Sequence, residues 1–186
     1  GCTFTYQWWH STSSTATSGT AISGATGSTY KVGSGLVGKY IGVTVTASKS
    51  NYTTKTFTDI TDATNNTTAT VSKAASTNPT LTSVEVTYDG ASHYVKVSGG
   101  AGGTIYYRKS TDGESTWSEW STSNWARVSS GTTYIQAYVK GDADHNDTTP
   151  TASATIKINK ATMSGSIKIT GTNTYGQTLT ANTSSV

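Results

Sequence analysis

Charged residues, proline, cysteine, leucine and long apolar runs are all scarce in this chain of 186 residues. Charged side chains make up 12% of it and the net charge is +3, with no basic run, so the sequence gives little support for nucleic-acid binding. No apolar run approaches the roughly 18 residues of a membrane-spanning helix, so we expect no membrane insertion. Leu and Glu occur three times each, and this shortage of strong helix formers excludes a helical protein.

Serine and threonine, by contrast, make up about a third of the chain, far above ordinary usage. Valine and aromatic residues are also plentiful, with 5 Trp, 11 Tyr and 2 Phe. They recur in short alternating runs separated by Gly, Asn and Asp, which predicts an all-β protein built of sandwiches. These predicted strands are Cys2–Trp9, Ile41–Ala47, Lys55–Ile60, Thr68–Ser72, Leu81–Tyr88, Ser92–Ser98, Thr104–Lys109, Thr116–Trp120, Thr132–Lys140, Ala152–Ile158, Ser166–Thr170 and Thr178–Asn182.

The first of these strands has one apolar face. The face carries Cys2, Phe4, Tyr6 and Trp8, while threonine and glutamine fill the positions between them. This period of two predicts a half-buried strand. A single cysteine cannot form an internal disulfide, so we expect Cys2 to be a small buried hydrophobe.

A short repeat divides the chain into three segments. Val71–Ala74 and Ile158–Ala161 resemble each other and lie 87 residues apart, which predicts one domain junction in two copies. Residues 74–160 then form one complete sandwich. Residues 1–73 begin in a core strand and residues 161–186 hold one hairpin, and together they have about the 100 residues of an immunoglobulin-like domain. We therefore expect tandem sandwiches, one complete and one split between the chain ends.

The two end segments resemble the bacterial immunoglobulin-like repeats of large surface proteins. The resemblance rests on Phe4–Trp9, Gly19–Thr26 and Val37–Ala47, and on Gly176–Ala181, which matches the Gly-x-x-Leu-x-Ala pattern of the family's opening hairpin. In that family the hairpin comes just before the Tyr-Gln-Trp strand, whereas here it lies at the opposite end of the chain.

The middle segment resembles a bacterial extracellular repeat known for its Tyr-Asp-Gly turn. The matching residues are Tyr88–Gly90, Val97–Gly100, Gly131–Tyr134 and Gly141–Asp147. Both resemblances imply an extracellular or cell-surface location, and neither implies a particular ligand.

Completion of the split domain by a second copy is the interaction that we expect. It would bury three residues of the final hairpin against three of the first strand: Ile167, Ile169 and Leu179 against Phe4, Tyr6 and Trp8. The chain would then be a structural unit of an extracellular bacterial filament, stalk or adhesin that assembles head-to-tail with its own copies. The copies could be joined covalently, as in tandem repeats, or by noncovalent strand donation.

A carbohydrate-binding module is the alternative function. Trp120, Trp125 and Tyr107 belong to an aromatic cluster in the middle segment, and exposed rings of this kind stack on sugars or contact proteins. This alternative predicts further partners, namely surface glycans or a host or cell-surface ligand.

Metal binding and catalysis have little support. Asp142, Asp144 and Asn146 have the oxygen spacing of a calcium loop, but Asp147 stands where the loop needs glycine. The histidines lack metal-ligand spacing and no nucleophile motif is present, so we predict no cofactor and no enzyme.

Ser110–Trp117 resembles the Asp-box hairpin of sialidase propellers, with Glu114 at a position where that pattern usually has glycine. A propeller needs several blades. We therefore expect this single box to be a structural Asp-Gly hairpin with its tryptophan packed behind the turn.

Overall fold

The computed structural model describes residues 1–62 and 70–185, and this part of the chain is all-β, as predicted. Within these ranges no helix is long and apolar enough to cross a membrane. The strands are β1 Thr3–Ser11, β2 Thr20–Ala21, β3 Tyr40–Ser48, β4 Lys55–Ile60, β5 Thr77–Thr82, β6 Val84–Thr87, β7 Lys96–Ala101, β8 Gly103–Ser110, β9 Gly131–Gly141, β10 Ala154–Asn159, β11 Ser166–Thr170 and β12 Thr180–Ser185.

The strands form four sheets. Two sheets have four strands each, in the orders β2-β1-β3-β4 and β6-β10-β9-β8, and two have a single pair, β11-β12 and β5-β7. The first sheet is antiparallel throughout, whereas β6 pairs with β10 in parallel.

The chain divides into two compact units. One comprises Gly1–Thr80, Ser98–Tyr106 and Ala137–Thr151, and the other Leu81–Val97, Tyr107–Gln136 and Ala152–Val186. Buried side chains of the first unit include Trp9, Ile41 and Val139. In the second unit, Ile135, Ile156 and Ile158 lie on the neighbouring strands β9 and β10 and are almost fully buried. Ile156 and Ile158 share one face of β10, because alternate residues of a strand point to the same side.

One predicted hairpin is wrong. The Asp89-Gly90 turn forms, and Gly90 has the positive φ of 78° that favours glycine there. The strands on its two sides, however, belong to different sheets. Strand β6 pairs with β10, placing Val84 and Val86 beside the buried Ile156 and Ile158, so burial of apolar side chains determines its partner rather than the nearby turn. The predicted strand Thr68–Ser72 lies partly outside the described residues. The predicted strand Thr116–Trp120 is wrong, because this segment is irregular and only an isolated bridge joins Ser121, which follows it, to Tyr107.

Candidate assembly surfaces

The sheet β2-β1-β3-β4 has one apolar face. Cross-strand partners share a face of a sheet, and the register pairs Phe4 with Ala47, Tyr6 with Val45 and Trp8 with Val43. Strand β4 adds Phe57, which pairs with Val45. The predicted apolar positions of β1 and β3 therefore do come together on one surface, which we call the receiving face.

The opposite face of this sheet is already covered at Trp9. Trp9 is 3% exposed, pairs with Gly42 across the sheet and donates from its indole Nε1 to Thr44 Oγ1 at 3.1 Å. Gly19 also approaches the indole ring. The remaining side chains of this face are largely threonine, so the side of the sheet with Trp9 needs no second apolar layer.

The receiving face is only partly covered by the described residues. Phe4 is 52% exposed and Phe57 56%, and the side chains of Tyr6 and Val45 are half-buried. Cys2, which we expected to be buried on this face, is exposed, because no second layer packs on that end of β1. A sheet normally buries one face against another layer of structure, so the receiving face has the character of an interface.

A cleft of about 580 Å³ opens beside this face. Trp8, Ile41, Tyr30 and Val32 are among the residues that line it. Trp8 stacks on Tyr30 with 5.8 Å between ring centroids and donates from Nε1 to the carbonyl of Gly27 at 2.9 Å. Sequence reasoning did not select Tyr30 and Val32, although their alternation with Lys31 was a usable signal.

The hairpin of β11 and β12 carries the other predicted residues. Ile169 pairs with Ala181, and Ile167 lies two residues away along β11 on the same side. Every described residue from 159 to 183 is exposed, including Ile167 at 65%, Ile169 at 72% and Leu179 at 46%. The hairpin therefore presents an apolar side that no described residue covers.

The described residues thus present two exposed apolar surfaces, a sheet face and a hairpin. No protein-family model matches the chain, and no match was found among curated proteins.

The aromatic cluster of the second unit is packed around cations. The guanidinium carbon of Arg108 lies 4.7 Å from the ring centroids of both Trp117 and Trp120, and Arg108 donates from Nε and Nη2 to Gln136 Oε1 at 3.0 and 2.6 Å. Lys109 Nζ is 4.1 Å from the ring centroid of Trp125.

These contacts bear on the glycan-binding candidates. Trp120 and Trp125 are half-buried, and each has a cation against its ring, whereas a sugar needs an open ring face. Tyr107 is 8% exposed, so its ring is not on the surface, and burial raises the pKa of its hydroxyl. The arrangement gives the carbohydrate-binding alternative no specific support.

The calcium candidates bond to protein groups instead. Asp142 Oδ1 accepts from the Asp144 amide at 2.9 Å and lies 2.7 Å from His145 Nδ1, and this partner lowers the pKa of Asp142. Asp144 Oδ1 accepts from the Gly35 amide at 2.9 Å, and Asn146 Nδ2 donates to the Lys73 carbonyl at 3.4 Å.

An ammonium group also contacts this loop. Lys73 Nζ donates to the carbonyls of Asp142 and His145 at 2.7 and 3.3 Å. Among the described residues, no group of three His, Cys, Asp or Glu side chains could hold a metal ion. The oxygens of the candidate calcium loop thus bond to the turn and its neighbours.

The Asp-Gly hairpin is the structural turn that we expected. Asp112 Oδ1 accepts from Ser110 Oγ at 2.7 Å and from the Thr116 amide at 3.0 Å, and Oδ2 accepts from Thr116 Oγ1 at 2.6 Å. Hydrogen bonds to a carboxylate favour its charged form, so they lower the pKa of Asp112. Trp117 then packs on Arg108.

Proposed function

We propose that this chain is a structural unit of an extracellular bacterial filament, stalk or adhesin, and that it assembles head-to-tail with its own copies. In this assembly, the hairpin β11–β12 of one copy packs on the receiving face of the next. The observation that carries the proposal is the presence of both surfaces, uncovered and apolar, on one chain.

Packing of the two surfaces would resemble the packing of two sheets in a sandwich, about 10 Å apart with interdigitated side chains. Phe4 and Phe57 would lose exposed area on one side, and Ile167, Ile169 and Leu179 on the other. Burial of a large apolar side chain contributes about 1.5–3 kcal/mol, so several together can offset the cost of association. An isolated two-stranded hairpin is marginal in water, and docking would stabilise it.

The extracellular setting is supported by composition and by resemblance. The outward side chains are dominated by Ser and Thr with few charges, which suits an exposed rod of β-sheets. Phe4–Trp9, Val37–Ala47 and Gly176–Ala181 resemble segments of bacterial surface repeats, with the hairpin segment at the opposite end of the chain. A contact between two different surfaces of one molecule is heterologous and can continue into a filament.

The test is the mass of the chain in solution as a function of concentration, measured by sedimentation velocity. We expect the wild-type chain to form oligomers, and we expect Ile169→Asp to weaken association at least about tenfold, because it places a charge in an apolar interface. Thr170→Asp is the matched control, since Thr170 pairs with Thr180 on the other side of the hairpin. A monomer at all concentrations, or equal effects of both variants, would refute the proposal.

A denaturing measurement separates the two ways of joining copies. If assemblies taken from the producing cells are boiled in detergent, noncovalent strand donation predicts a single band near the 19.4 kDa of this chain. A covalent tandem array predicts a much larger polypeptide.

A further inference from the structure

The segment Tyr30–Val32 has the alternation of a strand but no strand partner. Tyr30 and Val32 line the cleft and Lys31 does not, which is the period of two that an extended chain gives. Within residues 1–62 and 70–185, the backbone N–H and C=O groups of these three residues form no hydrogen bond to another backbone group. A row of backbone groups without backbone partners can act as a template for an added strand, so this row is available for pairing with another chain.

Both ends of this segment are anchored. On one side, the Trp8 indole donates to the Gly27 carbonyl, and the Trp8 ring stacks on Tyr30. On the other side, the Gly35 amide donates to Asp144 Oδ1 at 2.9 Å and Leu36 is buried. The anchors hold the row of free backbone groups in place before any partner arrives, which lowers the cost of ordering it on binding.

We infer that Tyr30–Val32 receives strand β12 of a second copy by backbone pairing, as an added strand beside the cleft. This inference rests on the proposed function and specifies its contact. The hairpin then contributes in two ways, because its apolar side packs on the receiving face while the outer edge of β12 pairs with Tyr30–Val32. Strand addition of this kind gives affinity through main-chain hydrogen bonds and selectivity through alternate side chains.

Charge favours β12 over β11 as the pairing strand. Strand β11 carries Lys168, which would lie on a strand next to Lys31, and like charges on adjacent strands are destabilising. Strand β12 has no charged residue and no proline, so neither a like charge nor a missing backbone donor opposes its pairing with Tyr30–Val32.

Hydrogen exchange of the full-length chain tests the pairing. Exchange is followed by mass spectrometry for peptides covering residues 28–34 and 180–185, at a concentration where the chain is monomeric and at one where it is assembled. We expect exchange in both peptides to slow at least tenfold on assembly, and exchange in a peptide covering the exposed turn at Asn51 to stay unchanged. In Ile169→Asp, which is expected not to assemble, both peptides should stay fast at the higher concentration.

A proline substitution supplies an independent reading. Lys31→Pro removes one backbone donor that makes no bond in the free chain, so the unfolding temperature of the monomer should stay close to that of the wild type. We expect its association to be weaker by about tenfold, since proline interrupts a ladder. Lys31→Ala keeps the donor and Thr53→Pro places a proline in an exposed loop, and both should associate as the wild type does.

The outcomes separate this inference from the proposed function. Assembly without protection of residues 30–32, or with no difference between Lys31→Pro and Lys31→Ala, would overturn the pairing and leave head-to-tail assembly standing. If residues 30–32 exchanged equally slowly in the monomer, the chain's own hairpin would be their partner. That result would overturn the role of a second copy. No association at any concentration would overturn the proposed function and this inference with it.

Discussion

Gly42 is the residue whose size the first sheet depends on most directly. A Cβ built at position 42 would lie 2.2 Å from Cζ2 of Trp9, a distance that no real contact allows. We expect Gly42→Ala to lower the free energy of unfolding by about 1–3 kcal/mol, because the buried indole cannot move away without losing its cover. Thermal unfolding of the dilute chain measures the effect.

Gly33→Ala is the control for that substitution. A Cβ at position 33 would meet only the Tyr30 hydroxyl, at an ordinary 3.6 Å, so we expect a change within about 0.5 kcal/mol. If the two substitutions were equally harmful, the close packing of Trp9 on Gly42 would not be the cause.

Glu114 is a non-glycine residue in a backbone conformation that suits glycine better. Its φ is 71°, in the left-handed region, and its amide donates to Ser110 Oγ at 3.0 Å. Glu114→Gly keeps this hydrogen bond and removes the steric penalty of Cβ, so we expect the free energy of unfolding to rise by about 0.5–1 kcal/mol. Chemical denaturation measures the change, and Glu119→Gly, at an exposed position without positive φ, should instead be neutral or destabilising.

The hairpin turn between Ser110 and Thr116 is an element whose stability depends on pH. Hydrogen bonds from Ser110 and Thr116 lower the pKa of Asp112 below its ordinary value of 3.8. A carboxyl with a lowered pKa in the folded state contributes stability above the unfolded pKa and loses it as pH falls through the folded value. We expect the urea midpoint to fall below about pH 4.

The variant Asp112→Asn isolates the contribution of this turn. It should be less stable than the wild type at pH 7, and its midpoint should fall less steeply between pH 4 and pH 2.5. Other carboxyls with lowered pKa values, such as Asp89 and Asp142, keep part of the slope in both proteins. If the urea midpoints of wild type and variant fell in parallel with pH, Asp112 would not contribute to the pH dependence of stability.

At the level of elements, alternation in the sequence predicts which strands form better than it predicts which strands pair. The period of two in Ile41–Ala47 and Ala152–Ile158 marks β3 and β10, since their apolar side chains lie on one face. The Asp89-Gly90 turn misleads because pairing depends on burial beside β10, which is distant in sequence. Nor does alternation show that Cys2 is exposed, because exposure depends on whether a second layer is present.

The candidate surfaces could be predicted only in part for the same reason. Phe4, Tyr6 and Trp8 share a face by period alone, and the structure brings them beside Val43 and Val45. The aromatic cluster looked like an open platform in the sequence, but the stacking of Arg108 and Lys109 on its rings depends on three-dimensional neighbours. Periodicity therefore identifies a face, and only the fold shows what covers it.

For the whole molecule, head-to-tail assembly predicts complementation between two defective chains. One chain carries Ile169→Asp in its hairpin and keeps an intact receiving face. The other carries Phe57→Asp in its receiving face and keeps an intact hairpin. Each alone should remain monomeric, because each lacks one of the two surfaces that a copy must offer. Mixed in equal amounts, they should form dimers and nothing larger, since only one productive contact exists between them.

The mass of the species formed in the mixture distinguishes head-to-tail assembly from symmetric association. In an isologous dimer, each of the two contacting surfaces would be the same patch, and chains with different defects would not restore a full contact. Thr56→Asp, on the face of β4 opposite Phe57, is the control for the receiving face and should leave assembly of a single chain intact. Light scattering gives the mass of each species. We expect a dimer from the mixed variants and long oligomers from the control, and this combination would require two different, complementary surfaces on each copy.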